Sequence, residues 1–175
     1  ILLVFSIVSV GVYGIMIGSW ASNNKYSLMG GLRAASQIIS YELAMGIALI
    51  ALLMSTGTLS LKVIVEQQQQ HWYSWNIIKQ PLGFLIFLVC AFAECNRTPF
   101  DLAEAENELI GGYHTEYSSM KLGFFLFAEY INMFLSSAVM VSLFFGGYDI
   151  PFLNDASLAE KIGMNWMALI HVGVF

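Results

Sequence analysis

Long apolar runs alternate with shorter polar segments along the chain, and most of these runs have the length of a membrane span. A helix needs about 20 apolar residues to cross a hydrocarbon core of about 30 Å. By this measure four complete spans are predicted, at residues 1–19, 38–55, 77–93 and 122–145. A fifth apolar run begins near residue 164 and covers only about half of a span. The pattern predicts an all-α polytopic transmembrane helix bundle.

The composition favours a lipid-embedded protein over a soluble domain. Hydrophobic residues make up 58% of the 175 residues and charged residues 11%, and the mean hydropathy is +0.70. We treat residues 1–175 as a single membrane domain in contact with the lipid bilayer. Because the first run has no initiator Met and the last run is incomplete, we expect the chain to be a fragment of a longer subunit. A net charge of −5 without a basic stripe excludes a nucleic-acid partner.

The distribution of Lys and Arg between the loops predicts the orientation of the spans. Loops on the cytoplasmic side carry an excess of these residues. The loops at residues 19–37 and 94–121 hold Lys25, Arg33, Arg97 and Lys121, whereas those at residues 56–76 and 146–163 hold Lys62 and Lys161. The first pair of loops is therefore predicted on the cytoplasmic or matrix side. In the opposite loop, residues 59–66 fit a short helix along the outer interface.

The loop of residues 94–121, here called the acidic loop, contains six of the twelve acidic residues of the chain. A short helix is predicted inside it. Thr98 is a suitable N-cap, the proline that follows needs no amide partner at the first helical position, and Asp101 completes a capping box. The Gly111-Gly112 pair is typical of a helix end.

On this predicted helix, Asp101, Glu104 and Glu108 have the spacing i, i+3 and i+7 and would share one face, while Glu106 points elsewhere. Three carboxylates a turn apart repel one another, so we expect raised pKa values if the face is shielded from water. Such a stripe is suited to holding or passing protons. The alternative is an ordinary solvated acidic face in which Asp101 only caps the helix.

Three further carboxylates lie within or at the ends of apolar runs. Glu129 lies inside the fourth predicted span, where a charge costs roughly 2.5–3.5 kcal/mol and usually faces a bundle interior or a water path. Glu42 lies about one turn into the second span, so an interfacial position is its alternative. Glu94 ends the third span three residues before Arg97, which predicts a partly shielded ion pair; a purely structural pair is the other reading.

The remaining chemistry-bearing residues are few. His114 lies beside Tyr113 and two residues from Glu116, where it either binds a quinone-like headgroup or finishes a turn. Cys90 and Cys95 are too few and wrongly spaced for an iron–sulfur or zinc site. No metal ligands, cofactor site or catalytic residues are therefore assigned to this chain, and redox chemistry is expected in a partner chain.

Several motifs around these residues closely resemble the quinone-chamber membrane subunit of respiratory complex I. This family includes the membrane subunit designated H in bacterial NADH–quinone oxidoreductase and mitochondrial NADH dehydrogenase subunit 1. The motifs are Gly18-Ser19-Trp20-Ala21-Ser22-Asn23-Asn24-Lys25-Tyr26-Ser27-Leu28, Gly31-Leu32-Arg33-Ala34-Ala35-Ser36-Gln37, Ser40-Tyr41-Glu42, Ala93-Glu94-Cys95-Asn96-Arg97-Thr98-Pro99-Phe100-Asp101-Leu102 and Gly112-Tyr113-His114-Thr115-Glu116-Tyr117. They are long, and the match covers nearly the whole chain.

The resemblance implies a place in an eight-helix subunit of a proton-translocating complex, with quinone as substrate. It implies peripheral-arm and membrane subunits as partners, with FMN and iron–sulfur clusters held by those partners. Implied quinone-chamber residues are Arg97, Asp101, Glu104, Glu106, Glu108, His114 and Glu116, and implied proton-path residues are Glu42, Glu94 and Glu129. The expected location is a bacterial inner membrane, with the mitochondrial inner membrane as a second option.

Three alternatives remain from the sequence. One is the homologous subunit of a membrane-bound hydrogenase, which needs no quinone tunnel. The second is a passive membrane anchor for the peripheral arm. The third is a stand-alone cation transporter, against which the lack of broken-helix repeats argues.

Overall fold

A computed structural model describes residues 1–69, 72–96, 99–103 and 106–147. Its helices are α1 (Leu2–Ala21), α2 (Lys25–Thr56), α3 (Leu61–Gln68), α4 (Asn76–Lys79), α5 (Pro81–Glu94), α6 (Glu106–Leu109) and α7 (Ser119–Phe144). Two 3₁₀ turns, Trp72–Ser74 and Gly112–His114, complete the regular structure. The described part of the chain contains helices and no strand, which confirms the all-α prediction.

Three helices, α1, α2 and α7, are long and apolar enough to cross a membrane. The predicted first and fourth spans coincide with α1 and α7 to within three residues at each end. The fifth predicted span lies outside the described residues. Many large apolar side chains of α1 and α7 are exposed, which is typical of helices that face lipid or other apolar helices.

The third predicted span, residues 77–93, is only partly correct. The chain forms α4, breaks at Gln80, and then forms α5, which has 14 residues. That length corresponds to about 21 Å. The break has a local cause, because Pro81 occupies the first turn of α5 and a proline disfavours helical geometry at the residue before it.

The second predicted span, residues 38–55, lies within a longer helix, and most of the predicted loop at residues 19–37 is helix. The α2 helix starts at Lys25, where the Asn24 side chain accepts a hydrogen bond from the main-chain amide of Tyr26 at 3.0 Å. Its 32 residues span about 48 Å, more than a hydrocarbon core of about 30 Å. Part of α2 therefore extends beyond the membrane core.

The main apolar core joins four helices. It contains Met45, Leu49 and Leu52 of α2, Ile64 of α3, Phe87, Cys90 and Ala91 of α5, and Leu143 and Phe144 of α7. The three α2 residues of this core lie in the half of α2 that follows Glu42. The first half of α2 packs instead against α1 and the acidic loop through a smaller cluster of Ala34, Ala103 and Tyr113.

The end of the bundle opposite the acidic loop is formed by residues 57–69, 72–80 and 145–147, here called the glutamine end. The short helix predicted at residues 59–66 is present there as α3, and its place along the membrane interface stays a prediction. Gln68 Nε2 donates to the Ser142 carbonyl oxygen at 3.3 Å, and the main-chain amide of Asn76 donates to Gln68 Oε1 at 3.1 Å. Asn76 Nδ2 donates to the Leu143 carbonyl oxygen at 2.8 Å. Two buried amides thus fasten α3 and α4 to the end of α7.

The helix predicted in the acidic loop is wrong over its first half. Residues 99–103 are turns and irregular backbone, and α6 covers only Glu106–Leu109. Packing overrides the local capping signals here, because Ala103 is completely buried against Ala34 and Tyr113. Consequently Asp101 does not share a helix face with Glu108, while Glu104 lies outside the described residues.

Candidate functional site

The acidic loop is fastened to the first two helices by contacts of main-chain groups. Ser27 Oγ, completely buried in α2, donates to the Tyr113 carbonyl oxygen at 2.9 Å. The Tyr117 hydroxyl donates to the Gly18 carbonyl oxygen of α1 at 2.8 Å. Gly30 of α2 allows the loop backbone to come close, since a Cβ there would lie 2.7 Å from the Tyr113 nitrogen. The first half of α2, with its N-cap Asn24, therefore forms the surface on which the acidic loop lies, here called the platform.

Two acids of the loop have partners on this platform. Glu108 forms an ion pair with Arg33 at 2.8 Å, and the two side chains are 65% and 40% exposed. Glu116 Oε1 accepts a hydrogen bond from Asn24 Nδ2 at 2.5 Å. Ion pairs this exposed contribute about 0–1 kcal/mol each. The ion pair of Glu108 therefore contributes little to the folding stability. Both contacts mainly fix how the outer surface of the loop lies against the platform.

Glu94 has a different environment, at the last residue of α5. Its side chain is only 9% exposed, and Oε1 has no hydrogen-bond partner among the described residues. Glu42, near the middle of α2, lies close enough for the two carboxylates to repel each other. A buried carboxylate with an unpartnered oxygen is expensive to keep ionised. The predicted ion pair of Glu94 with Arg97 lies outside the described residues.

A cavity of about 210 Å³ connects Glu94 with Glu129. Glu129 contributes from α7, and Asn96, Tyr113 and Asn132 add polar groups to the lining. The volume is well above the roughly 30 Å³ that one water occupies in the liquid, and the lining offers several polar partners. The structure thus brings Glu94 and Glu129 to one cavity, while Glu42 does not line it and is related to Glu94 only through electrostatic repulsion.

Asp101 lies in the irregular part of the acidic loop and is half-buried. Its Oδ1 is buried without a hydrogen-bond partner among the described residues. The preceding Phe100 packs edge-on against Tyr41 of α2, with ring centroids 5.4 Å apart. The residue next to Asp101 is therefore held against α2, and Asp101 itself lies in irregular backbone and not on a helix.

For the remaining residues predicted in the quinone chamber, the structure describes few contacts. His114 is half-buried and packs edge-on against Tyr113 with ring centroids 5.1 Å apart. Arg97 and Glu104 lie outside the described residues, and for Glu106 only its place in α6 is described. These residues stay predictions.

Sequence reasoning missed the neutral residues of the site, above all Gln37, Asn96 and Asn132. Gln37 is 8% exposed and donates from Nε2 to the Ala93 carbonyl oxygen at 2.9 Å. A signal for Gln37 exists in the sequence. Had the helical period been continued upstream from Ile38 through Ala34 and Gly30, Gln37 would have fallen beside the buried face.

Comparison with known proteins identifies relatives along the whole chain. The model of the family described as NADH dehydrogenase matches residues 1–175. One relative is the NADH-quinone oxidoreductase subunit of Cytophaga hutchinsonii designated H 1, which is 69% identical over 92% of this chain and 46% of its own length. The subunit designated H in Flavobacterium johnsoniae is 63% identical over 99% of this chain and 49% of its own length. NADH-quinone oxidoreductase subunit 8 of Rhodothermus marinus is 54% identical over 87% of this chain and 45% of its own length.

The chain thus spans about half the length of the curated relatives it matches. The apolar helices together with these relatives identify it as an integral membrane protein. Because the family model matches every residue, the chain belongs to the NADH dehydrogenase family, together with these bacterial NADH-quinone oxidoreductase subunits.

Proposed function

We propose that the protein is a membrane subunit of a proton-translocating NADH–quinone oxidoreductase. In this proposal residues 1–175 form part of the quinone-binding chamber and the entrance of the proton path that couples quinone reduction to proton pumping. Quinone is the substrate, while FMN and iron–sulfur clusters belong to partner subunits. The names of the relatives support this assignment, and no finding favours the hydrogenase alternative.

One observation carries the proposal, namely the buried carboxyl group of Glu94, which has an oxygen without a partner among the described residues and lines a cavity shared with Glu129, Asn96 and Asn132. A fixed ion pair would satisfy both oxygens, whereas a group that exchanges protons needs an open position for water. Burial and the neighbouring Glu42 both favour the protonated state. The group is therefore able to change protonation when charge changes nearby.

The proposed coupling follows from this electrostatic sensitivity. Reduction of a quinone in the chamber adds negative charge or consumes protons. Carboxyl groups in a shielded site respond by taking up or releasing protons, and water in the cavity provides contact between Glu94 and Glu129. The acids Asp101, Glu108 and Glu116, with His114, lie on the loop that would face the quinone, together with Arg97, Glu104 and Glu106.

The proposed location is the cytoplasmic membrane of a bacterium, with the acidic loop on the cytoplasmic side. All relatives named above are bacterial. Membrane and peripheral-arm subunits of the same enzyme are the proposed partners.

The test is Glu94→Gln in the full-length subunit within its purified enzyme. We expect NADH:quinone reductase turnover and proton pumping to fall at least about tenfold, because an amide cannot exchange the proton. Amounts of assembled enzyme should stay near those of the parent. Both activities would be measured in proteoliposomes, the first from NADH absorbance and the second from a pH-sensitive dye.

A matched control is Glu66→Gln at the glutamine end, where Glu66 pairs with Lys62 on the exposed surface at 3.7 Å. This variant should retain parental turnover. If Glu94→Gln also retained full turnover and pumping, the passive-anchor alternative would replace the proposal. Insensitivity of the parent enzyme to quinone-site inhibitors would favour the hydrogenase alternative.

A further inference from the structure

The side-chain amide of Gln37 occupies a junction between the two parts of the candidate site. Its nitrogen Nε2 lies 2.9 Å from the Ala93 carbonyl oxygen, 3.2 Å from Asn96 Oδ1 and 2.7 Å from the Phe100 carbonyl oxygen. Ala93 directly precedes Glu94, and Phe100 directly precedes Asp101. One amide on α2 thus contacts the backbone beside both buried carboxyl groups.

The orientation of this amide is determined by its surroundings. A primary amide has two hydrogens on nitrogen and none on oxygen. If the group were flipped, Oε1 would face two main-chain carbonyl oxygens, which only accept hydrogen bonds. Nitrogen therefore faces them, and the two hydrogens are shared among three acceptors. Oε1 is buried on the other side without a partner among the described residues.

The turn after α5 depends on these contacts. Asn96 has a φ of 48°, a left-handed conformation that non-glycine residues adopt infrequently. The Ala93 carbonyl lies in the last turn of α5, where carbonyl groups lack the full set of helical partners. Gln37 supplies a donor at this helix end and, through the Phe100 carbonyl, holds the beginning of the irregular segment against α2.

We propose that Gln37 is a positioning residue that fixes Glu94 and Asp101 relative to each other, so that both face the same reaction space. This inference rests on the proposed function. Gln37 itself exchanges no proton and touches no substrate. It acts through the backbone on either side of the turn, and its loss should let the loop move relative to the end of α5.

The chain contains a matched control in Gln80. Gln80 Nε2 donates to the Ala51 carbonyl oxygen at 3.2 Å, so it also joins α2 to α5, but at the glutamine end. Its Oε1 is also buried without a partner among the described residues. The two glutamines differ in location, because the acids Glu94 and Asp101 lie beside Gln37 only.

The experiment compares Gln37→Met and Gln80→Met in the full-length subunit of the purified enzyme. For Gln37→Met we expect quinone reductase turnover to fall roughly tenfold, since two hydrogen bonds of the loop are lost. Reduction of a water-soluble electron acceptor by NADH should be unchanged, as should the amount of assembled enzyme. Hydrogen–deuterium exchange should become faster in peptides covering residues 99–103. Gln80→Met should change neither turnover nor exchange in those peptides.

Gln37→Glu adds a readout that a merely structural role would not move. A carboxylate donates no hydrogen bond and repels the Ala93 and Phe100 carbonyl oxygens, whereas a protonated carboxyl group donates one. Turnover of Gln37→Glu relative to the parent should therefore recover as the pH is lowered from about 8 to about 6, as a glutamate in this shielded place takes up a proton. Gln37→Met should show the parental pH profile at reduced turnover.

Three results would overturn the inference. Faster exchange at residues 99–103 with full turnover would make the contact structural only. An equal loss of turnover in Gln80→Met would assign the effect to the packing of α2 on α5 in general, and a parental pH profile for Gln37→Glu would remove the donor requirement. A parent enzyme that does not reduce quinone rejects the proposed function itself, and that result is obtained before any variant is compared.

Discussion

The two ends of the bundle treat their buried polar groups differently. At the glutamine end, Gln68 is 1% exposed and Asn76 is 3% exposed. The Gln68 side chain accepts a hydrogen bond from the Asn76 main-chain amide, and both side chains donate to carbonyl oxygens at the end of α7. At the acidic end, Glu94 and Asp101 each keep a buried carboxyl oxygen without a partner among the described residues. Both ends use buried neutral groups to join segments, at the acidic end Ser27 and Gln37, but the acidic end also leaves ionisable groups open.

Unpartnered atoms alone do not distinguish the ends, but their chemistry does. The glutamine end also has buried atoms without partners among the described residues, namely Thr58 Oγ1, Trp75 Nε1 and Gln80 Oε1. These groups stay neutral, so each costs about 1–3 kcal/mol when unsatisfied. An unpartnered buried carboxylate costs more and changes its protonation instead. The comparison teaches that the presence of ionisable groups, and not the lack of partners, distinguishes the acidic end.

The largest effect on stability is expected at the glutamine end, from Gln68→Met. This change leaves the Asn76 amide and the Ser142 carbonyl without their present partner, at about 1–3 kcal/mol for each buried group. We expect less assembled enzyme and a lower midpoint of thermal unfolding, measured by size-exclusion fluorescence after heating. Quinone reductase turnover per assembled enzyme should equal that of the parent. A loss of turnover without a loss of assembly would erase the difference between the two ends.

The sequence predicted α1 and α7 well because each is a long apolar run with the length of a membrane span. It missed the beginning of α2, because the apolar run that predicts a span starts only near Ile38, whereas the helix starts at Lys25 and includes Gly30, Gly31 and Ala34. In the structure these small residues allow close contact, since a Cβ on Gly31 would overlap with the Ser19 side chain and one on Gly30 would overlap with the acidic loop. Such contacts depend on residues distant in the chain, so local composition does not contain them.

The candidate site was predictable in its acids and unpredictable in its geometry. Glu42, Glu94 and Glu129 stand out because a carboxylate within or beside an apolar run is rare. Asp101 does not lie on the predicted helix, because the local capping signals contain no information about the burial of Ala103 against α2. The helical period indicates only that Gln37 lies beside the buried face of α2, whereas its hydrogen-bond acceptors lie on segments distant in the chain and became visible only in the structure.

A smaller effect, at the acidic end, is expected from Gly30→Ala. The added Cβ would lie 2.7 Å from the Tyr113 nitrogen and 2.8 Å from the Gly112 main-chain carbon atoms. Because these neighbouring atoms belong to the backbone, a change of side-chain rotamer cannot relieve the overlap. The acidic loop must therefore shift, which lowers the folding stability by about 1–3 kcal/mol. We expect lower quinone reductase turnover and faster hydrogen–deuterium exchange at residues 112–117. Gly46→Ala, on the same helix with nothing within 4 Å of the added atom, is the control and should match the parent in both measurements.

The smallest effect is expected from Arg33→Gln, which removes the ion pair of Glu108 with α2. The pair is largely exposed, so its loss should cost less than about 1 kcal/mol and should shrink further at high salt. Turnover of the variant should fall by less than about fivefold at low salt and approach the parental value at about 0.5 M salt. The measurement is a salt titration of turnover for parent and variant side by side. A large loss of turnover that persists at high salt would contradict this prediction. Arg33 and Glu108 would then belong to the shielded part of the candidate site, together with Glu94 and Asp101.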